Sequence, residues 1–172
     1  MTAFARLRDI FLPGTEPDRA IFCTYGFDAR FFETEVLPAM LPQSLTLDRE
    51  AGSQNGYLNS ADAALQKRDV SVFYDHLLGD GPELLYECWP VDVFPQRFHA
   101  KLIVLDYGDR IRVMVGSANL TRSAWTSLLE LWVVEDLEPG VPHDWAEGLR
   151  RFLATQRSIR PRPAPGALPH GR

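Results

Sequence analysis

The stretch FHAKLIVLDYGDRIRVMVGSAN, residues 98–119, decides the reading of this chain. Phe98 to Asp106 is an apolar, β-branched-rich run and predicts a strand. Arg110 to Gly116 predicts the next strand, with Tyr107-Gly108-Asp109 as the hairpin turn between them. Residues two apart on a strand share a face. His99 and Lys101 are therefore expected to point one way while Ala100, Leu102 and Val104 pack behind them. The end of the second strand delivers Ser117 and Asn119, again two apart. These side chains suit work on a phosphate ester. An imidazole can attack phosphorus or protonate a leaving oxygen, an ammonium neutralises a non-bridging oxygen, and a carboxamide donates a hydrogen bond to the same group.

The lysine is informative in itself. The chain has 18 lysines and arginines, and only Lys67 and Lys101 are lysines. Against so strong an arginine bias, an ammonium two residues after the histidine points to a need for a compact cation there.

The order H-x-K-x-x-x-x-D and then G-S-x-N resembles the HKD signature of the phospholipase D superfamily. It is matched at His99, Lys101, Asp106, Gly116, Ser117 and Asn119. Within that superfamily, Ala20 to Phe32 and Tyr107 to Trp125 are similar to segments of tyrosyl-DNA phosphodiesterase-like proteins. The resemblance covers most of residues 3–135. Asp106 follows the general superfamily pattern, since that branch usually lacks an aspartate there. The resemblance implies metal-independent cleavage of a phosphodiester through a phosphohistidine, with no cofactor. Such chemistry uses two histidines on opposite sides of one phosphorus. Here there is one motif, and none of His76, His143 and His170 is followed two residues later by lysine. The second half of the site is therefore expected from another copy, in a homodimer, or from a second phospholipase D-like half. By the same resemblance, Glu130 stands where an acid accepts a hydrogen bond from a histidine ring, and Ser117 donates to phosphate or to that acid. Asp106 and Gly116 are expected to shape the motif rather than to move protons.

Length and composition bound the rest. With 172 residues and 45% hydrophobic content, the chain suits one globular domain, expected over residues 1–157. The Pro-, Gly- and Arg-rich residues 158–172 are expected to form a disordered tail. No apolar run is long enough to span a bilayer, and the first residues lack the apolar stretch of a signal peptide. Cys23 and Cys88 stand alone in apolar settings, which suits reduced core thiols and a cytoplasmic protein without membrane attachment. No Cys/His cluster has metal-ligand spacing, so no catalytic metal is expected. A net charge of -5 argues against a general nucleic-acid coat. Around the motif, however, Arg97, Lys101, Arg110, Arg112 and Arg122 face only Asp106 and Asp109 in sequence. That bias predicts a positive mouth, with Arg97, Arg110, Arg112 and Arg122 as substrate-binding candidates. The plainer alternative is a solvated arginine face.

Strand patterns at Arg19–Tyr25, Ser44–Arg49, Val70–Tyr74, Glu83–Trp89 and Glu130–Glu135 join the motif hairpin. Helical patterns are expected over Ala3–Leu12, Asp28–Leu41, Ser60–Arg68, Leu120–Leu129 and His143–Gln156, with a loop over Ala51–Asn59. The alternation predicts an α/β fold, a mixed β-sheet flanked by helices on both faces, as in a phospholipase D-like half. The leading functional expectation is a phosphodiesterase of nucleic acid, DNA foremost, acting as a nuclease or in DNA-end processing. The rivals are a phospholipid hydrolase or transferase and a catalytically silent nucleic-acid-binding module.

Overall fold

The computed structural model describes residues 7–42, 44–45, 54–79, 81–138, 140–141 and 143–158. Six strands build one mixed sheet: β1 (Arg19–Thr24), β2 (Asp69–Asp75), β3 (Glu87–Val91), β4 (Leu102–Asp106), β5 (Ile111–Gly116) and β6 (Trp132–Leu137). Their order across the sheet is β3-β2-β1-β4-β5-β6. Strands β1, β2 and β3 run parallel, whereas β4 is antiparallel to β1 and the β4-β5-β6 meander is antiparallel throughout. One consequence governs the site. The C-terminal ends of β1, β2, β3 and β5 and the N-terminal ends of β4 and β6 share one edge of the sheet, which gathers Tyr25, Lys101, Ser117 and Leu131.

Apolar side chains alternate along the strands, so both sheet faces need cover. On one face lie Phe22, Val72, Ile103, Leu105 and Met114, packed under α1 and α2. Helix α1 opens at Ala29–Phe31, widens into a π-helical stretch at Phe32–Val36 and continues as Leu37–Met40. Its first turn is capped by Asp28, whose carboxylate accepts from the Phe31 amide at 2.8 Å. Helix α2 is Gln54–Leu65 and α3 is Arg122–Thr126. On the other face, Ile21, Cys23, Phe73, Phe98, Leu102, Val104 and Val113 meet Leu149, Phe152 and Leu153 of α4 (Ala146–Ser158). The fold is therefore α/β, with a mixed sheet covered by helices on both faces. Among the described residues no helix is long and apolar enough to cross a membrane. Cys23 and Cys88 are free, and burial pushes both thiols up to about 12, so neither is a ready nucleophile.

Several elements differ from what the pattern predicts. Strand β4 starts at Leu102 rather than Phe98, so His99-Ala100-Lys101 precedes the strand instead of lying in it. The expected loop before Asn59 is helical from Gln54, because burying Ala61, Ala64 and Leu65 on one face outweighs the poor propensity of Gly56 and Asn55. Ser60 consequently sits inside α2 rather than capping it, its hydroxyl donating to the Tyr57 carbonyl at 3.0 Å. Ser44 and Leu45 are helical where a strand is expected, and 46–49 lie outside the described residues. The expected Leu120–Leu129 helix shortens to Arg122–Thr126, and the Ala3–Leu12 helix is a 3-10 turn at Leu7–Ile10, with 1–6 outside the described residues. Strand β3 begins at Glu87, and Glu130 precedes β6 instead of opening it. Residues 159–172 also lie outside the described residues.

Candidate active site

The two strand ends bring the motif residues together. The Gly116 amide donates to the Lys101 carbonyl at 3.1 Å, which carries the β4-β5 pairing one residue beyond β4. From that anchored backbone, Lys101 Nζ reaches to 2.8 Å from Nδ1 and 3.1 Å from Nε2 of His99, and 3.3 Å from the His99 carbonyl oxygen. The ammonium thus stands within 3.1 Å of both ring nitrogens, against the imidazole. Burial lowers the Lys101 pKa, and the nearby Glu130 carboxylate opposes that shift without cancelling it.

Glu130 is held by Ser117. The Ser117 hydroxyl donates to the Glu130 carboxylate and accepts from the Leu131 amide at 3.1 Å, while the Ser117 amide donates to the Leu131 carbonyl at 3.0 Å. Asn119 is oriented from the other side. Its Oδ1 accepts from the Gly26 amide at 3.3 Å, which turns the Nδ2 donor the opposite way. The loop after β1 is stitched to the same place. Thr24, buried at the end of β1, accepts from the Leu120 amide at 2.9 Å and donates to the Gly26 carbonyl at 2.8 Å. The Asp28 amide adds a 2.9 Å bond to the Leu120 carbonyl, and Trp125 Nε1 donates to the Asn119 carbonyl at 2.9 Å.

Two motif residues act through shape. A Cβ on Gly116 would lie 2.4 Å from two carbons of the Trp132 ring and 2.5 Å from the Leu131 carbonyl oxygen, so no larger residue fits without a shift. Asp106 sits at the far end of β4, about 16 Å along the strand from Lys101 at 3.3 Å per residue. There its carboxylate accepts from the Gly108 amide at 2.9 Å, and Gly108 takes the positive φ of +82° that the turn requires.

The arginines divide. Arg110 and Arg112 do not reach the site, because the antiparallel hairpin places them at the turn end of β5, with Arg112 opposite Leu105. Arg112 is spent on a bidentate pair with Asp136, at 2.7 Å on both oxygens, and on the Ile10 carbonyl; Arg110 pairs with Asp109. Arg122 opens α3 close to Asn119, pairs with Glu35 at 3.4 Å and lies over the Phe31 ring. Arg97 is beside His99 but grips Asp75 bidentately, at 2.9 and 2.8 Å.

Two residues of this edge escape motif reasoning. Asp75 is buried at the end of β2, and its carboxylate also accepts from the amides of Phe98 at 3.0 Å and Leu77 at 3.1 Å. Burial alone would raise its pKa, but Arg97 and the two amides outweigh that and hold it below the usual aspartate range. Tyr25 stands with its ring centroid 4.5 Å from that of His99. Asp75 is signalled in sequence only as a polar residue at the C-terminal end of a buried strand, and Tyr25 falls within the Ala20–Phe32 resemblance without being singled out as a site residue. Among the described residues no group of three or more His, Cys, Asp and Glu could hold a metal.

No protein-family profile matches the chain, and no curated protein matches it in sequence. Solved structures do. Yeast tyrosyl-DNA phosphodiesterase is similar with a TM-score of 0.57 at 15% identity, over 88% of this chain and 34% of the yeast chain. A mutant of that enzyme gives 0.59 at 15% identity, over 88% and 33%. This chain thus spans about a third of the yeast protein's length. Nuc from Salmonella typhimurium, a phospholipase D family member, is similar with a TM-score of 0.50 at 17% identity, over 89% of this chain and 82% of Nuc. The chain thus has a phospholipase D-like fold.

Proposed function

We propose that the chain is a metal-independent phosphodiesterase of nucleic acid, DNA foremost, working through a phosphohistidine on His99. The observation that carries this reading is the convergence of the Lys101 ammonium on the His99 imidazole, with Asn119 fixed at the adjoining strand end. In the first step the His99 nitrogen attacks phosphorus, the bond from phosphorus to the leaving oxygen breaks, and a second histidine protonates that oxygen. In the second step that histidine takes a proton from water, the water oxygen attacks phosphorus, and the phosphorus–nitrogen bond breaks. Lys101 and Asn119 Nδ2 stabilise the charge on the non-bridging oxygens throughout.

The second histidine is the partner's His99, in a homodimer whose two motifs face each other. Two features support this. His99 and Ser117 lie open at the surface. At the end of the sheet that carries Ser117, Val115, Leu131 and Val133 are each more than half exposed, as are Leu128 and Leu129 in the segment before β6, and Val115 and Val133 are cross-strand neighbours on the face of Leu102 and Val113. A clustered apolar rim on a soluble face marks a contact surface. The name of the yeast neighbour, a tyrosyl-DNA phosphodiesterase, supports DNA as the substrate.

A single preparation, with EDTA present, should be offered single-stranded and duplex oligonucleotides and phosphatidylcholine vesicles. Cleavage of an oligonucleotide in EDTA is the expected result. Hydrolysis of vesicles alone, binding without cleavage, or activity lost in EDTA and restored by a divalent ion would overturn the reading.

A further inference from the structure

We infer that Tyr25 is a positioning residue for His99 and Lys101, held in place by Asp75 acting through Arg97; this rests on the phosphodiesterase reading above. Tyr25 directly follows β1, at the sheet edge that carries the motif. Its ring lies 4.5 Å from the His99 ring, tilted by 45°. Two cations share that ring: Lys101 Nζ at 5.3 Å and the Arg97 guanidinium carbon at 5.2 Å from its centroid. The face of a phenol ring carries negative potential, so it holds both cations while its edge and face limit the rotation of the imidazole.

The arrangement is anchored from below. Asp75 is 1% exposed, and a buried carboxylate persists only if its oxygens are satisfied. Arg97 meets both of them in a fork, and the Phe98 amide bonds Oδ2 at 3.0 Å. Asp75 therefore fixes the main chain one residue before His99 and, through Arg97, the cation that lies over Tyr25. The nucleophile is gripped twice, by its backbone and by its ring. No hydrogen bond of the Tyr25 hydroxyl enters this account, so the ring is the working part and phenylalanine should replace it.

The test uses the full chain with labelled histidine and compares Tyr25→Phe, Tyr25→Leu and Arg97→Lys. Ring-proton resonances of His99 should lie upfield in the wild type and in Tyr25→Phe, and move downfield in Tyr25→Leu as the ring current is lost. Arg97→Lys keeps the charge near Asp75 but not the flat fork, and should move the same resonances part of the way; it serves as the second variant if Tyr25→Leu fails to fold. In kinetics, Tyr25→Leu should lower kcat by roughly 10- to 100-fold with little change in KM, the pattern of a misplaced reacting group. Tyr25→Phe should restore the wild-type rate. Unmoved His99 resonances in Tyr25→Leu or Arg97→Lys, or an unchanged kcat in Tyr25→Leu, would overturn the inference. An inactive wild type would instead defeat the phosphodiesterase reading, and the resonance shifts would still decide where Tyr25 holds His99.

Discussion

In the proposed mechanism Lys101 meets two demands that conflict. It must be charged to stabilise phosphate oxygens, yet partial burial disfavours its charge, and Glu130 is the group that counters this. The sign of a pH effect follows. Removing the carboxylate's charge takes away the opposing influence, so the lysine's pKa falls further and it loses its proton at a lower pH. In Glu130→Gln the alkaline limb of kcat/KM should therefore move to lower pH, while Glu130→Asp should move it less. A limb that stays in place, or moves up, would show that Glu130 does not act on Lys101. The residues of this site were legible in sequence where the chemistry is local. The spacing of two between His99 and Lys101 leaves the ammonium within hydrogen-bond distance of the imidazole, whereas Ser117 and Asn119, past the end of β5, turn to different partners, Glu130 and Gly26. Tyr25 and Asp75 were not legible, because each matters through contacts with residues more than 20 positions away.

At the scale of elements, the sharpest constraint is where β5 meets β6. Gly116 pairs with Trp132, and its missing Cβ leaves room for the indole and the Leu131 carbonyl. Neither a ring stacked on Trp125 nor a backbone oxygen can swing aside cheaply. Gly116→Ala should therefore destabilise the fold by about 1–3 kcal/mol, as overpacking does. Each kcal/mol lowers the melting temperature of a chain this size by about 2–4 °C. Gly148 in α4 has nothing within 4 Å of a Cβ, so Gly148→Ala should raise stability by about 0.5–1 kcal/mol. Thermal melts of the two variants check both signs. The hairpin also explains which sequence signals misled. A run of arginines near a motif looks like one basic mouth, but an antiparallel turn sends Arg110 and Arg112 to the opposite end of the sheet from Lys101. Periodicity likewise missed the start of α2, where burial of Ala61, Ala64 and Leu65 recruits a segment whose own residues favour a loop.

Across the whole molecule, the mixed sheet with helices on both faces followed from the alternation of strand and helix signals. What alternation cannot give is the strand order, and that order puts the motif on an open edge. The apolar rim beside it should close against a second copy. Leu131, 73% exposed next to Glu130, is a direct probe of that contact. Leu131→Asp should weaken self-association and make specific activity fall on dilution at concentrations where the wild type holds its rate, as sedimentation and kinetics over one dilution series would show. Equal activity per chain at every dilution would argue against a shared site. The most direct measurement concerns the bond at the centre of the account. Rapid quenching during turnover of a phosphodiester in EDTA, followed by mass spectrometry under alkaline conditions, should find a phosphorylated adduct on His99. His99→Asn should lack both adduct and turnover while still binding the substrate. Turnover at near wild-type rate by His99→Asn, or an adduct on any other residue, would contradict it.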